Sequence, residues 1–322
     1  MSSRRLSASI NAALIAALAI LLTLPYLGIS AFMISFLLSV FVWVTLAVSW
    51  NILSGYTGYF SFGHTAFFGS GAFASAVTDF YYEINYFLTI PIAGAITAGM
   101  AAGLGLVTFR LRRLRGQLFA LTTVVLTSVS SIVVINNWGS GIVMRSVKAF
   151  WPFLSIPHVF YTLALILCIG SIYISMVIYR SRFGLTLFAI RDDEEAAEAI
   201  GVNSFKSKMA AFCISSLLVG LAGAVFAGWI KYVWPETVFS INYSLYPILM
   251  TILGGMGTWV GPILGGIILT TIFQIVAGGE AVLNNIILGS LLVAVMIFLP
   301  RGIFNLALSG YRRIRTPLQQ RV

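Results

Sequence analysis

Long apolar runs separated by short polar or basic breaks dominate the pattern of this chain. A helix that crosses the hydrocarbon core needs about 20 mainly apolar residues, because the core is about 30 Å thick. On this criterion the sequence predicts ten spanning segments, of which the third, eighth and ninth are the least regular. They are Ile10–Ile29, Phe32–Leu53, Phe60–Phe80, Tyr86–Phe109, Leu118–Ile135, His158–Tyr179, Met209–Ile230, Ile241–Met256, Trp259–Ala277 and Leu283–Leu299. The predicted fold class is therefore all-α, a polytopic membrane helix bundle.

Basic residues lie in short blocks between the apolar runs, which is the pattern that membrane topology produces. With the amino terminus inside, sixteen of the 19 Lys and Arg residues fall on the cytoplasmic side. The exceptions are Arg145, Lys148 and Lys231. The sequence thus predicts that both termini are cytoplasmic. A re-entrant third segment would reverse every later segment, unless a second re-entrant segment restored the parity.

Composition supports a lipid-facing surface over the whole chain. Of its 322 residues, 59% are hydrophobic and only 9% are charged, with a mean hydropathy of +0.99. Since a soluble protein carries about 25% charged residues, a soluble enzyme is excluded, and residues 1–322 are predicted to form a single transmembrane domain. The net charge of +10 does not indicate nucleic acid as a partner, because the basic residues form separate blocks.

Two stretches place glycine and polar atoms at membrane depth, and we call them the first glycine cluster (residues 51–71) and the second glycine cluster (residues 253–266). Broken helices are tolerated in a bilayer only where they are buried in protein or line a water-filled cavity. We therefore expect broken or re-entrant elements beside a translocation path, with close helix packing as the alternative, which is favoured for Gly99 and Gly103. The candidate path residues are Asn51, Gly55, Ser61, Gly63, His64, Thr65, Thr122, Thr123, Gly254, Gly255 and Gly257.

The source of energy for transport is predicted from what the sequence lacks. No Asp, Glu, Lys or Arg falls near the middle of a predicted span, where ion-coupled carriers usually keep such a group. A phosphate-binding loop needs Gly-Lys followed by Ser or Thr, and the chain contains no Gly-Lys dipeptide. We therefore expect no ATP site, no enzyme activity and no cofactor in this chain, and we expect the energy to come from another subunit.

The longest predicted cytoplasmic loop, about residues 180–208, holds five of the nine acidic residues. Asp192 and Glu195 have capping-box spacing and Gly201 suits a left-handed stop, so a helix of about two turns is predicted between them. Such a helix is too short to be stable alone, which favours a docked protein partner over a solvated loop near the headgroups. The predicted docking face comprises Ala196, Ala197 and Ile200, flanked by Asp193, Glu194 and Glu198 as partners for Arg or Lys.

The same loop carries a family resemblance. Residues 183–208, which read FGLTLFAIRDDEEAAEAIGVNSFKSK, resemble the coupling loop of the branched-chain amino acid ABC permeases of the LivM type. Residues 51–71, 234–239, 253–262 and 300–302 resemble other landmarks of these permeases, in the same order. The resemblance therefore covers about residues 50–302, most of the chain.

The resemblance implies a permease subunit in a bacterial inner membrane that translocates branched-chain or related amino acids. It would pair with a second, LivH-like permease, bind two cytoplasmic ABC ATPase subunits, and receive its solute from a periplasmic solute-binding protein. The implied ATPase-coupling residues are Asp193, Glu194, Glu195, Ala196, Ala197, Glu198, Ile200 and Gly201.

Two alternatives stay open at this point. One is a secondary carrier that works alone, and the other is an ABC permease for another small polar solute such as urea, an amide or a sugar. The cargo is open because relatives carry different solutes. Residues 136–148 depart from the Thr/Gly-rich turn that the family commonly has there, so contacts with the binding protein or the exit pore are expected to differ.

Overall fold

The computed structural model describes residues 19–110, 116–139, 141–145, 156–276, 289–290 and 302–303. Its helices are α1 (Ala31–Trp50), α2 (His64–Phe80), α3 (Tyr86–Thr108), α4 (Gln117–Trp138), α5 (Ile156–Arg180), α6 (Arg182–Asp192), α7 (Glu194–Ala199), α8 (Ser204–Ile230), α9 (Pro235–Val238), α10 (Asn242–Gly254) and α11 (Gly261–Val276). A 3₁₀ turn (Leu24–Leu27) precedes α1, and a π-helix (Asn51–Gly55) extends it. Two short strands, β1 (Ile142–Val143) and β2 (Tyr232–Val233), pair antiparallel. The helical class is confirmed.

Six helical stretches of the described residues are long and apolar enough to cross a membrane. They are Ala31–Gly55, Tyr86–Thr108, Leu118–Trp138, Ile156–Arg180, Ser204–Ile230 and Pro235–Gly254. The third and ninth predicted segments form α2 and α11, with 17 and 16 residues. The first predicted segment is described only from residue 19, and the tenth lies outside the described residues except at 289–290. The total of ten and the location of the termini stay predictions.

Helix α8 is the centre of the bundle, and α1, α2, α3 and α5 all pack against it. Glycines permit the closest approach, because a Cβ on Gly223 would collide with the carbonyl oxygen of Phe68, and one on Gly71 with the backbone of Gly220. The predicted packing pair in α3 behaves differently. A Cβ on Gly99 or Gly103 would meet no described atom within 4 Å, so the prediction that this pair packs closely is wrong within the described part of the chain.

The two ends of α2 have different neighbours. In its last turn, Asp79 Oδ2 accepts a hydrogen bond from the backbone N–H of Arg145 at 2.7 Å, and Arg145 also pairs with Glu83 at 2.7 Å. Before its amino end, Tyr59 donates a hydrogen bond to Glu194 at 2.6 Å. The regions that the charge pattern assigns to opposite sides of the membrane therefore lie at opposite ends of the bundle.

Three interruptions of regular helix in the described part of the chain lie against other protein segments. The first glycine cluster contains the π-helix and an irregular stretch over residues 58–63, and the second contains the loop 255–260 between α10 and α11. The third interruption, residues 239–241 between α9 and α10, has no glycine and was not predicted. There the carbonyl oxygen of Ser240 accepts a hydrogen bond from Thr65 Oγ1 at 3.1 Å. Such contacts satisfy backbone groups that the breaks leave unpaired.

Candidate functional site

The predicted short helix in the acidic loop exists as α7, but its amino-terminal cap lies one residue later than the capping-box spacing indicates. Asp193 Oδ1 accepts hydrogen bonds from the backbone N–H groups of Glu195 at 2.9 Å and Ala196 at 3.1 Å. Asp192 is not the cap, because it is the last residue of α6. Gly201 has a φ of +92°, so the predicted left-handed stop is confirmed.

The predicted docking face of α7 is divided between two directions. Ala197 is only 3% exposed and belongs to the hydrophobic core of the chain, so the expectation that it faces a partner is wrong. Ile200 is 80% exposed and Ala196 is also exposed. The surface that α7 and its caps offer therefore includes Asp193, Glu195, Ala196, Ala199 and Ile200, with Glu198 half-buried beside them.

Glu194 points inward, although the sequence predicts it on the flank of the docking face. Its carboxylate accepts a hydrogen bond from Lys208 Nζ at 2.5 Å and another from the Tyr59 hydroxyl at 2.6 Å. The side chains of Glu194 and Lys208 are only 10% and 4% exposed. Lys208 Nζ also lies 4.6 Å from the ring centroid of Tyr59 and 5.3 Å from that of Phe109. Both charges are thus desolvated and compensated inside the chain.

Arg191, in the last turn of α6, reaches both glycine clusters. Its Nη1 donates a hydrogen bond to the carbonyl oxygen of Gly55 at 3.2 Å. A Cβ on Gly257 would lie 2.5 Å from the same Nη1, and a Cβ on Gly58 would lie 2.9 Å from Arg191 Cγ. The absence of side chains at these glycines leaves the space that the guanidinium group and its stem occupy. Sequence reasoning missed this role, since Arg191 was counted only as a cytoplasmic charge.

Asn51 joins the two glycine clusters directly. Its Oδ1 accepts a hydrogen bond from the Gly257 N–H, and its Nδ2 donates one to the Thr258 carbonyl oxygen, both at 2.9 Å. A Cβ on Gly55 would collide with Asn51 Oδ1, which explains why glycine follows four residues after the asparagine. The predicted path residues Asn51, Gly55 and Gly257 are therefore brought together.

The candidate path residues Gly254 and Gly255 lie where α10 meets α11. A Cβ on Gly254 would collide with the carbonyl oxygen of Gly261, and Gly255 has a φ of +124°, which favours glycine. Gly257 lies in the loop before α11, where its φ of +80° also favours glycine.

Buried hydroxyl groups among the candidate path residues stabilise the irregular stretch before α2. Ser61 Oγ accepts a hydrogen bond from the Gly63 N–H at 3.2 Å, and Thr123 Oγ1 accepts one from the Phe62 N–H at 3.0 Å. Thr122 lies on another side of α4, where its hydroxyl bonds to the Leu118 carbonyl oxygen at 2.8 Å. Ser61 and Thr123 thus replace the backbone partners that a continuous helix would supply.

His64 and Thr65 begin α2 and contact two other helices. The Thr65 N–H donates a hydrogen bond to Ser244 Oγ at 2.9 Å, which caps α2 from α10. His64 Nε2 shares a hydrogen bond with the side-chain hydroxyl of Ser215 at 3.2 Å. His64 Nδ1 is buried and has no partner among the described residues.

A separate cavity of about 500 Å³ lies between α2, α3 and α4. Its lining is mainly apolar and includes Phe73, Val77, Met100, Val129 and Trp138. None of the candidate path residues lines it. Within the described residues, no group of three or more His, Cys, Asp or Glu side chains could hold a metal ion.

A bundle of long apolar helices, interrupted by buried breaks and bearing a short helix at one end, defines a multi-pass membrane protein. Residues 32–298 match the family described as branched-chain amino acid transport system, permease component. The chain belongs to this family and is of the LivM type. It is therefore a transport component.

Individual relatives agree with the family. The high-affinity branched-chain amino acid transport system permease proteins LivM of Salmonella typhimurium and Escherichia coli are each 27% identical over 291 residues, covering 81% of this chain and 67% of theirs. The autoinducer 2 import system permease protein LsrC of Photorhabdus luminescens is 30% identical over 128 residues, covering 38% of this chain and 39% of its own. No solved structure matches the chain.

Proposed function

We propose that this chain is the membrane-spanning permease subunit of an ABC importer for branched-chain or related amino acids in a bacterial inner membrane. Two separate cytoplasmic ATPase subunits drive it through α7, a periplasmic solute-binding protein delivers the amino acid, and a second, LivH-like permease completes the path across the bilayer. The similarity to the LivM permeases of branched-chain amino acid transport systems supports the solute class.

The observation that carries this proposal is the exposed face of α7. A six-residue helix is too short to persist by itself, and Glu194 and Ala197 hold it against the bundle from inside. Ile200, 80% exposed, and Glu195, also exposed, then both face away from the bundle at the end that carries the acidic loop. An exposed aliphatic side chain with acidic neighbours suits a groove rimmed by Arg or Lys on a partner.

The proposed path follows the helix breaks. The first and second glycine clusters supply Asn51, Gly55, Ser61, Gly63, His64, Thr65, Gly254, Gly255 and Gly257, and α4 supplies Thr122 and Thr123. In this chain Asn51 bonds to Gly257 and Ser61 bonds to Gly63, while others of these groups bond to neighbouring protein segments. We propose that the set shapes the wall of a path that the second permease closes. Binding along such a path is weak, and selectivity belongs to the binding protein.

Copurification and reconstitution test the proposal. Extraction of the tagged chain in mild detergent is expected to bring two ATPase subunits and a second permease with it. In proteoliposomes the complex is expected to take up leucine from its binding protein only when ATP is supplied to the ATPases. Replacement of Ile200 by Asp is expected to release the ATPases from a folded permease, whereas Lys206→Met, at an exposed position of α8, is the control that retains them. Uptake of leucine by the chain alone would instead establish a stand-alone carrier.

A second cargo class, another small polar solute, is favoured by the partial similarity to LsrC, whose name assigns it to the import of autoinducer 2 rather than of an amino acid. The subunit composition of the transporter and its use of ATP are the same in this alternative. Identification of the solute bound to the copurified binding protein distinguishes the two, since an amino acid supports the first and a sugar, urea or amide the second.

A further inference from the structure

Glu194, Lys208 and Tyr59 form a buried cluster that we call the joint. Glu194 begins α7, Lys208 lies in the second turn of α8, and Tyr59 belongs to the irregular stretch of the first glycine cluster. Lys208 Nζ donates to both of the others, at 2.5 Å to Glu194 and 3.1 Å to the Tyr59 hydroxyl. Helices α7 and α8 are thus fastened at one point to a stretch of the chain that lies more than 130 residues earlier.

A buried ion pair is a poor means of gaining stability, because desolvation of the two charges offsets most of their attraction. Apolar residues of similar volume often serve equally well in such a place. The joint instead fixes the position of α7 relative to Tyr59 and Lys208, because hydrogen bonds depend on distance and angle. Each oxygen of the Glu194 carboxylate has its own donor, so a displacement of α7 by about one ångström strains at least one short hydrogen bond. This strain is relieved if Tyr59 and Lys208 move together with α7.

A second connection runs beside the first. Arg191, two residues before the α7 cap, holds the carbonyl oxygen of Gly55 and occupies the space beside Gly257. Tyr59 and Gly55 lie four residues apart in the first glycine cluster, and Asn51 links that cluster to the second. The loop that carries α7 therefore contacts both glycine clusters at their mutual junction.

We infer that the joint transmits the movement of α7 to this junction, so that Glu194, Lys208 and Tyr59 are positioning residues for transport rather than part of the ATPase-binding surface. The inference rests on the proposed function, because it presupposes that ATPases act on α7. It adds that Glu194 acts on Tyr59 and Lys208 inside the bundle rather than on the ATPase. It also adds that the junction of the two glycine clusters is the element that moves during transport.

The test uses the complete transporter in proteoliposomes, with leucine, its binding protein and ATP. The readout is the number of leucine molecules taken up per ATP hydrolysed, which a purely structural contact would not change in an assembled complex. The double variant Glu194→Gln/Lys208→Met leaves no charge unpaired and is expected to lower this ratio at least about fivefold while the ATPases stay attached. The exchanged pair Glu194→Lys/Lys208→Glu is expected to restore more than half of the ratio. Tyr59→Phe is expected to lower it in part, and Lys206→Met is the matched control on the same helix.

Several results would overturn the inference. An unchanged ratio in the double variant, or an equal loss in the exchanged pair, would show that the ion pair does not transmit movement. Failure of the double variant to assemble, together with an unchanged ratio in Tyr59→Phe, would assign the cluster a structural role only. A wild-type complex that lacks ATPases or ignores ATP would instead refute the proposed function, so the two failures are distinguishable.

Discussion

The side chain of Asn51 holds the backbone N–H of Gly257 at 2.9 Å, although the two residues are 206 positions apart. The same amide group donates to the Thr258 carbonyl oxygen at 2.9 Å, and Asn51 is fully buried. One side chain thus satisfies a donor and an acceptor of the loop before α11. The two glycine clusters meet at this point, beside Arg191.

Replacement of Asn51 by Leu is expected to lower the stability of the purified protein. The variant keeps a similar volume but leaves the Gly257 N–H and the Thr258 carbonyl oxygen without their partner, which costs about 1–3 kcal/mol. The midpoint of thermal unfolding in detergent measures the loss. Asn137→Leu is the control, since Asn137 is exposed and bonds only to the Val133 carbonyl oxygen of its own helix. Equal midpoints for the two variants would contradict the bridging role.

Glycine-to-alanine replacements are expected to have opposite outcomes at two positions. Gly223→Ala forces a methyl group against the backbone of Phe68 and is expected to destabilise the α2–α8 contact by about 1–3 kcal/mol. Gly99→Ala meets no described atom within 4 Å and removes the conformational freedom of glycine from a helix interior. Its thermal midpoint is expected to equal or exceed that of the wild type. A loss at Gly99 as large as that at Gly223 would contradict the open space beside Gly99 on α3.

Replacement by Leu of two neighbouring alanines of α7, Ala196 and Ala197, is expected to affect different properties: ATPase binding for Ala196 and folding stability for Ala197. Ala197 is 3% exposed, so Ala197→Leu overpacks the core and is expected to cost about 1–3 kcal/mol in unfolding free energy. Ala196 is exposed, so Ala196→Leu is expected to leave the unfolding midpoint unchanged. Under the proposed function, Ala196→Leu is instead expected to lower the yield of copurified ATPase. Midpoint and yield are measured on the same preparations, and the reverse assignment of effects would refute the orientation of α7.

The pair formed by Glu83 and Arg145 predicts a small dependence of stability on pH. The hydrogen bond from the Arg145 guanidinium group holds the pKa of Glu83 below its ordinary value. A carboxylate whose pKa is lower in the folded state contributes stability above its unfolded pKa, and this contribution is lost as the pH falls through the folded pKa. The wild type is therefore expected to exceed Glu83→Gln slightly in thermal midpoint at neutral pH, and the two are expected to converge in acid.

The effect of pH on stability is expected to be small, because Glu83 and Arg145 are exposed. Both side chains face solvent, with 72% of the Glu83 side chain exposed, so solvent and salt screen the interaction. In an Arg145→Gln background, Glu83→Gln is expected to have no further effect at either pH. A difference that persists in acid or in that background would assign the effect to something other than the ion pair.

Much of this architecture is predictable from the sequence because membrane burial acts on each segment separately. The length and hydropathy of an apolar run decide whether it can span a bilayer, and α1, α3, α4, α5 and α8 follow from these properties alone. The stop at Gly201 is equally local, since a left-handed residue favours glycine whatever surrounds it. The family resemblance also follows from the sequence, because it rests on short motifs that occur in the same order along the chain.

Tertiary structure alone decided which way the side chains point and which breaks meet. In the sequence Glu194 and Glu195 are equivalent acids, but Glu194 turns inward because Lys208, fourteen residues later, is buried opposite it. Gly99 and Gly223 look alike as small residues, yet only Gly223 lies against another backbone. The interruption at residues 239–241 depends on Thr65, a residue 175 positions from Ser240. Such contacts join segments that no local pattern relates, because their free energy arises only when the helices have packed.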